Sequence, residues 1–414
     1  MSNFEPVYIA GVGMTKFGLY PDRSIKKMVR EAVELCLADA SARPGDVEGL
    51  YFGNVGQGMI EGQSAAPGQI ALRPLGFEQA PITNLENGCA SSSSALWLAV
   101  MQVRAGMADI AMAVGAEKLS TDDVARRDSV FLGGFDVHDR EGVFRELARY
   151  SEGIESPPVE GSRSAFMDIY GHWTRAHMRD FGSTQEQLAT IASKNHWHST
   201  MNPLCQFQRT FTVEEVLAAR PLAYPLTVPM CSPYSDGAAA TIVCSRRGLE
   251  KLGAKGSAVA IRALVQVSGT DRDYRDWERH ITKIAADQAY EEAGIGPAEI
   301  DFAEVHDATA FGELLNSENL GLVPRGEGGV AAVRGETKLG GRIPINPSGG
   351  LESRGHPLGA TGLAQVHEIV TQLRGRAGPR QIEAPKLGIT ENGGGLYGIE
   401  EATAVVGIFA APGE

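Results

Sequence analysis

The chain has 414 residues, 43% of them hydrophobic, enough to bury one large core or two fused ones. Its 51 acidic residues outweigh 38 basic ones, a formal net charge of -13, so neither nucleic acid nor an anionic membrane fits as the main partner. Cys36, Cys89, Cys205, Cys231 and Cys244 form an odd set without CxxC spacing, and the N-terminal residues lack a basic stretch followed by an apolar run. A reducing, cytoplasmic setting is therefore expected, without disulfides, signal peptide or transmembrane helix.

In chain order, Val7 to Gly13 reads as a buried strand. Ser24 can cap a helix in which Ile25, Met28, Val29, Ala32, Val33 and Cys36 recur at helical spacing. Pro44 to Glu48 ends that helix, and Gly49 to Gly53 is the next strand. Strand, helix, strand points to an α/β fold with a mixed or parallel sheet. Ile82 to Leu85 is extended, and Glu86-Asn87-Gly88-Cys89-Ala90-Ser91 then opens an apolar helix reaching about Met107. Cys89 falls at or beside that helix N-terminus, where outward N–H groups and the positive dipole end lower a thiol's pKa. It is a candidate nucleophile, against the plainer reading of a small buried core residue.

The stretch 119–224 is polar and aromatic with no clear period, and is expected to form a substrate-binding subdomain or lid. Cys231 reads as a core position leading into the strand Thr241 to Cys244. The second half then repeats the first. A helix with Ile281, Ile284, Ala285, Ala289 and Ala293 is followed by Pro297 to Asp301 and the strand Phe302 to Val305, matching Pro44 to Glu48 and its strand. Further strands are expected at Lys386 to Ile389 and Ala402 to Ile408.

His306 directly follows a strand, at the end where open α/β sheets place ligands. His356 is flanked by glycines and Pro357, a setting from which an imidazole can accept a thiol proton. Either could equally be an ordinary hydrogen-bonded loop histidine. Gly393-Gly394-Gly395 can bring backbone N–H groups close to a ligand, or simply turn a hairpin. Asn195-His196-Trp197-His198 lacks carboxylate or thiolate partners, so no metal is expected there.

These stretches together resemble the thiolase superfamily, and within it the sterol-carrier-protein type. The carriers are Asn87 to Ser92, Lys194 to His196 with Asn202-Pro203, Cys231 to Pro233 with Ser235 to Ala240, Glu304 to Asp307, and Asn346 to Gly350 with Gly355 to Gly362. The resemblance implies the thiolase fold: two homologous βαβαβαββ halves stacked as an αβαβα five-layer sandwich. The first half would span 1–118 plus 225–255, the loop domain 119–224 and the second half 256–414. It implies Cys89 as nucleophile, His356 as its activator, His306 where commoner thiolases hold a water, and Gly393 N–H in the oxyanion hole. Asn195, His196, Ser348 and Gly349 would bind coenzyme A, a substrate and not a covalently held cofactor.

Glu391 stands where a thiolase carries a second Cys or His that moves the α-carbon proton. A buried carboxyl with a raised pKa could take that role. Thr309, where an aromatic residue is usual, would reshape the acyl pocket. The implied activity is cleavage of a 3-oxoacyl-CoA, or the reverse Claisen condensation, with benzoylsuccinyl-CoA one candidate. Implied partners are a second copy, as dimer or dimer of dimers, and a small OB-fold protein with a zinc ribbon. A retro-aldolase or acyltransferase on the same fold, and a non-catalytic acyl-CoA-binding subunit, are the alternatives.

Overall fold

A computed structural model of the protein describes residues 5–159, 161, 163–254 and 256–413. The first half contributes β1 (Val7–Met14), α1 (Ile25–Asp39), β2 (Gly49–Gly53), β3 (Ile82–Leu85), α2 (Ser91–Arg104) and β4 (Ile110–Glu117). The insertion supplies α3 (Val124–Leu132), α4 (Arg140–Tyr150), α5 (Ala165–Phe181) and α6 (Gln185–Ser199), and the chain returns at β5 (Gly237–Cys244). The second half follows with β6 (Val259–Ser268), α7 (Ile281–Ala293), β7 (Phe302–Glu304), α8 (Ala310–Asn319), α9 (Thr361–Leu373), β8 (Leu387–Gly394) and β9 (Thr403–Ala410).

The strands form one nine-stranded sheet in the order β3-β2-β4-β5-β1-β6-β9-β8-β7. A parallel bridge from Ala303 to Ile345 extends it beyond β7. Ranked within its own half, the first half runs third, second, fourth, fifth, first, and the second half runs first, fifth, fourth, second, third. The two orders mirror each other across the antiparallel pair Tyr8 and Ala260. The proline turns that repeat in sequence repeat in space: Pro44–Asp46 and Pro297–Glu299 are both single 3-10 turns, each between a helix and a strand. This is the expected pair of homologous halves.

Three apolar cores make the layers. Met28, Val29 and Val33 of α1 pack on Leu50, Phe52 and Ile110 outside the first half. Ile281, Ala285 and Ala289 of α7 pack on Ile389 and Val406 outside the second. Between the halves, Leu96 and Val100 of α2 meet Leu363, Val366 and Ile369 of α9. The result is an αβαβα sandwich with α2 and α9 in its central layer. That burial explains the serine run. Ser91, Ser92, Ser93 and Ser94 are all buried, small enough for close helix packing, and each hydroxyl has a partner.

The insertion is more regular than its sequence suggests. Its helices share a core of Leu147, Tyr150, Ile169, Trp173, Leu188 and Ile191 that continues onto Phe311 and Leu314 of α8. The period is blurred because α6 buries Lys194, Asn195, His196 and His198 alongside its apolar residues. The glycine triplet also differs from a plain hairpin turn: β8 continues through Gly393 and Gly394, paired with Ala404 and Thr403. Among the described residues, no helix is long and apolar enough to cross a membrane.

Candidate active site

The turn before α2 is built around Gly88. Its φ is +55°, and a Cβ there would lie 2.5 Å from the backbone nitrogen of Gly395, so only glycine fits. The glycine end of β8 thus lies directly against the turn that carries Cys89. Ser91 donates through its backbone N–H and its hydroxyl to the Gly88 carbonyl, at 3.1 and 2.6 Å, which fixes Cys89 two residues ahead of α2.

His356 arrives from the other half of the sandwich. Gly355, at φ +111°, places its Cα where a Cβ would meet Ser235 Oγ at 2.8 Å, and the His356 N–H donates to that oxygen at 2.9 Å. The ring then bridges two partners: Nε2 lies 3.2 Å from Cys89 Sγ, and Nδ1 lies 2.7 Å from Thr361 Oγ1. Thr361 Oγ1 donates to the Pro357 carbonyl at 3.1 Å, so its oxygen is left to accept from Nδ1–H. The Nε2 lone pair then faces the thiol, the tautomer a general base needs. Thr361→Val is expected to leave the fold intact and to slow any reaction that passes through Cys89 by about 10-fold, because the ring loses its orienting acceptor. Steady-state rates on the folded variant check this.

His306 comes from the end of β7, with its ring centroid 5.2 Å from that of His356. Its Nδ1 is 2.9 Å from Asn392 Nδ2, and its backbone N–H donates to Glu391 Oε2 at 3.0 Å. With Asn392 donating to Nδ1, the His306 proton lies on Nε2. Cys89, His306 and His356 each offer an atom within 4.8 Å of the others, a donor set that a soft divalent ion could also occupy.

The electrostatics correct one expectation. The backbone N–H of Cys89 does lower its thiol pKa, but other groups outweigh it. Part of the side chain opens onto a cavity, but protein surrounds it closely, and burial, then Glu117 and Glu86, push the thiol up to about 12. Burial, then His306 and Arg354, hold His356 well below the ordinary imidazole value. Burial likewise lowers His306 to about 4. The resting pair is thus a neutral thiol and a neutral imidazole.

A cavity of about 710 Å³ opens onto this cluster. Cys89, His196, His306, His356 and Gly393 line it. Glu391 does not. Side chains alternate along β8, so Asn392 faces the central layer and donates to His306, while the Glu391 carboxylate accepts from Thr282 Oγ1 of α7 at 3.4 Å and from the His306 backbone. Asn195, Ser348 and Gly349 also stand behind the wall. Asn195 Nδ2 donates to Glu313, Ser348 donates to Glu304, and Gly349 packs on Ser199. Thr309 is buried away from the cavity, which Ala308 lines instead, and Cys231 is part of the wall.

Tyr170, Glu352 and Glu401 line the cavity as well and were not singled out from sequence. Tyr170 belongs to α5 of the insertion, where it shares a buried face with Trp173 and His177. The acidic pair Glu400-Glu401, just before the apolar run of β9, was a readable signal for the last of them. His196 bonds the Pro229 carbonyl and His198 the Asn346 carbonyl, so these histidines of α6 diverge.

The family models for the thiolase N-terminal domain and the thiolase C-terminal domain-like region match residues 7–213 and 268–408. The chain is 39% identical to an acetyl-CoA acetyltransferase of Methanothermobacter thermautotrophicus, over 98% of this chain and 99% of that one. It is 37% identical to sterol carrier protein 2 of Oryctolagus cuniculus, over 93% of this chain and 69% of that one. It is 35% identical to benzoylsuccinyl-CoA thiolase subunit BbsB of Thauera aromatica, over 94% of each chain. Among solved structures, the Ltp2-ChsH2(DUF35) aldolase superposes with a TM-score of 0.78 at 22% identity, covering 99% of this chain and 98% of that one. Human mitochondrial 3-ketoacyl-CoA thiolase in complex with CoA gives 0.71 at 16% identity, covering 98% of each. With both halves matched in sequence and mirrored in the sheet, the chain belongs to the thiolase superfamily, among its sterol-carrier-protein-type members.

Proposed function

We propose that this protein is a CoA-dependent thiolase that cleaves a 3-oxoacyl-CoA with free CoA, or runs the Claisen condensation in reverse, through an acyl group on Cys89. One juxtaposition carries the reading: Cys89 Sγ lies 3.2 Å from His356 Nε2, inside a cavity of about 710 Å³. His356 takes the thiol proton as Cys89 attacks the 3-oxo carbon. The Cys89 and Gly393 N–H groups hold the resulting oxyanion. The C2–C3 bond breaks, the acyl group stays on Cys89, and His306 with His356 supplies donors to the enolate oxygen of the departing thioester. CoA then takes the acyl group.

Arg163, Arg209 and Arg220 line the cavity from the insertion, cationic groups suited to the phosphates of CoA in an otherwise acidic protein. The double variant Arg209→Ala/Arg220→Ala is expected to raise the KM for CoA by about 10-fold with kcat little changed, and less so at high salt. Initial rates across CoA concentrations at two ionic strengths check it.

The cavity wall includes Phe131, Phe166, Trp173, Phe207, Phe211 and Tyr234. This surface suits an aromatic or other bulky apolar acyl group. Benzoylsuccinyl-CoA is the candidate that the T. aromatica relative supports. Free cysteines suit a reducing cytoplasm. The side of β3 facing away from β2 is a sheet edge, available to a second copy in a dimer. A small OB-fold partner with a zinc ribbon belongs to the same proposal, tested by co-purification.

Incubating the protein with 3-oxoacyl-CoA substrates, with and without CoA, tests the reading. CoA-dependent loss of substrate supports it. Cleavage of a 3-hydroxyacyl-CoA without CoA, equally fast in Cys89→Ala, would replace it with retro-aldol chemistry.

A further inference from the structure

We propose that Glu401 is the group that moves the proton at the substrate's α-carbon, the role that the sequence pattern offers to Glu391. The inference rests on the thiolase reading and deepens it. Glu401 lines the cavity together with Cys89, His306 and His356. Its side chain lies across the end of β8: a Cβ on Gly393 would come within 2.7 Å of Glu401 Cγ and 3.3 Å of its Oε1. The carboxyl therefore stands over Gly393, on the opposite strand face from Gly394, which abuts the turn carrying Cys89, and reaches the cavity at the strand's end.

Its surroundings leave it available. Glu401 is 6% exposed, and its Oε2 has no hydrogen-bond partner among the described residues. His280 Nε2 is 3.9 Å away, too far for a hydrogen bond. A buried carboxyl oxygen without a partner is costly unless the group is protonated or engaged by a ligand.

The other carboxyls on the wall fit less well. Glu86 is exposed and accepts from the Gly88 N–H at 2.6 Å. Glu352 also has an oxygen without a partner among the described residues, but its other oxygen accepts from Asn195 at 3.4 Å and it bears on Cys231 and not on Cys89. Glu401 acts on Cys89, less strongly than Glu86 does, but unlike Glu86 it is buried, and it also acts on Tyr170 and on Glu391.

The step balances. In cleavage, Cys89 bonds to the 3-oxo carbon and the C2–C3 bond breaks with its electron pair passing to C2. Protonated Glu401 gives its proton to C2. The incoming CoA thiol gives its proton to solvent as its sulfur attacks the Cys89 thioester, and the Glu401 carboxylate takes a proton back from solvent. The Cys89 sulfur leaves and recovers its proton from His356. In condensation each transfer reverses, and Glu401 removes the α-proton.

The groups facing Glu401 are Cys89, Tyr170 of α5, Glu391 of β8, His280 before α7, and Glu400 with Arg272 beside it. Burial raises Glu401 to about 7. Its basic form therefore grows as pH rises through neutrality, and α-proton removal by the wild type should rise over the same range.

The experiment follows deuterium uptake at the α-carbon of acetyl-CoA and succinyl-CoA in D₂O, beside acylation of Cys89 by intact mass. Glu401→Gln is expected to lose deuterium uptake by about 100-fold or more while Cys89 is still acylated. Glu401→Asp, one methylene shorter, is expected to retain uptake about 10-fold below wild type, with its rise against pH displaced. If both variants take up deuterium within about threefold of wild type, Glu401 is not the group. If uptake and acylation fall together in both, its role is structural, which also overturns the assignment. A wild type that takes no acyl group onto Cys89 overturns the thiolase reading itself, a result separate from either of these.

Discussion

Cys89→Ala is expected to lower CoA-dependent cleavage by about 10⁴-fold or more, with the thermal unfolding temperature nearly unchanged. The size follows from what the side chain does. The reading routes every acyl group through this sulfur, and the geometry offers no second thiol to His356: its Nε2 faces Sγ at 3.2 Å, while Cys231, also on the wall, bears on Glu352. The fold should tolerate the change, because Cys89 is half-buried and faces the cavity, outside the core layers. The measurement is initial rate together with thermal unfolding of the same preparation. A variant within tenfold of wild type would remove Cys89 from the chemistry.

Arg354→Met is expected to be the most damaging change to stability, about 3–5 kcal/mol, because it strips the partner from a buried charge. Arg354 is 1% exposed and Glu304 0%. Arg354 Nη1 donates to Glu304 Oε2 at 3.0 Å and to Ser348 Oγ at 3.0 Å, and Ser348 donates back to Glu304 through its hydroxyl at 2.8 Å. Burial raises Glu304 to about 7 even with Arg354 pulling it down. A carboxyl raised in the folded state contributes stability at low pH and loses it as pH rises through its folded value. The Arg354→Met deficit should therefore be smallest near pH 5, where folded Glu304 keeps its proton, and grow above pH 7. Denaturant midpoints at these pH values check both size and sign. Because this network holds the turn that launches His356, acyl transfer should fall as well.

Much of this architecture was legible as pattern. Gly49–Gly53 and Ile82–Leu85 match the expected strands because short apolar or β-prone runs are bounded there by glycine, proline and polar residues. The halves were readable from one proline turn used twice. Cys89, His306 and His356 stood out because each lies at a glycine-marked turn or a strand end, where a side chain can be presented to a ligand.

What the pattern hid depends on facing and environment. Whether Glu391 or Asn392 points at the site is a matter of strand phase, and the glycines concealed that the strand continued. The Cys89 pKa depends on burial in the folded chain, which outweighs the local helix end. Ser348, Gly349 and Asn195 belong to motifs near the site, yet they serve the buried network that carries His356 and Asp307. Tyr170 and the wall phenylalanines come from an insertion whose helices bury polar side chains beside apolar ones, Thr174, Arg175 and His177 in α5 and Lys194, Asn195, His196 and His198 in α6, so which positions face the cavity cannot be read from polarity.

The most direct measurement is intact-protein mass after incubation with acetyl-CoA, succinyl-CoA and benzoyl-CoA, on wild type and Cys89→Ala. An acyl adduct present in the wild type, absent in Cys89→Ala and removed by added CoA is the predicted result, and the preferred donor narrows the acyl group. No adduct from any donor, with or without a co-purifying partner, would contradict the acyl-enzyme account and turn attention to retro-aldol cleavage or acyl-CoA binding alone.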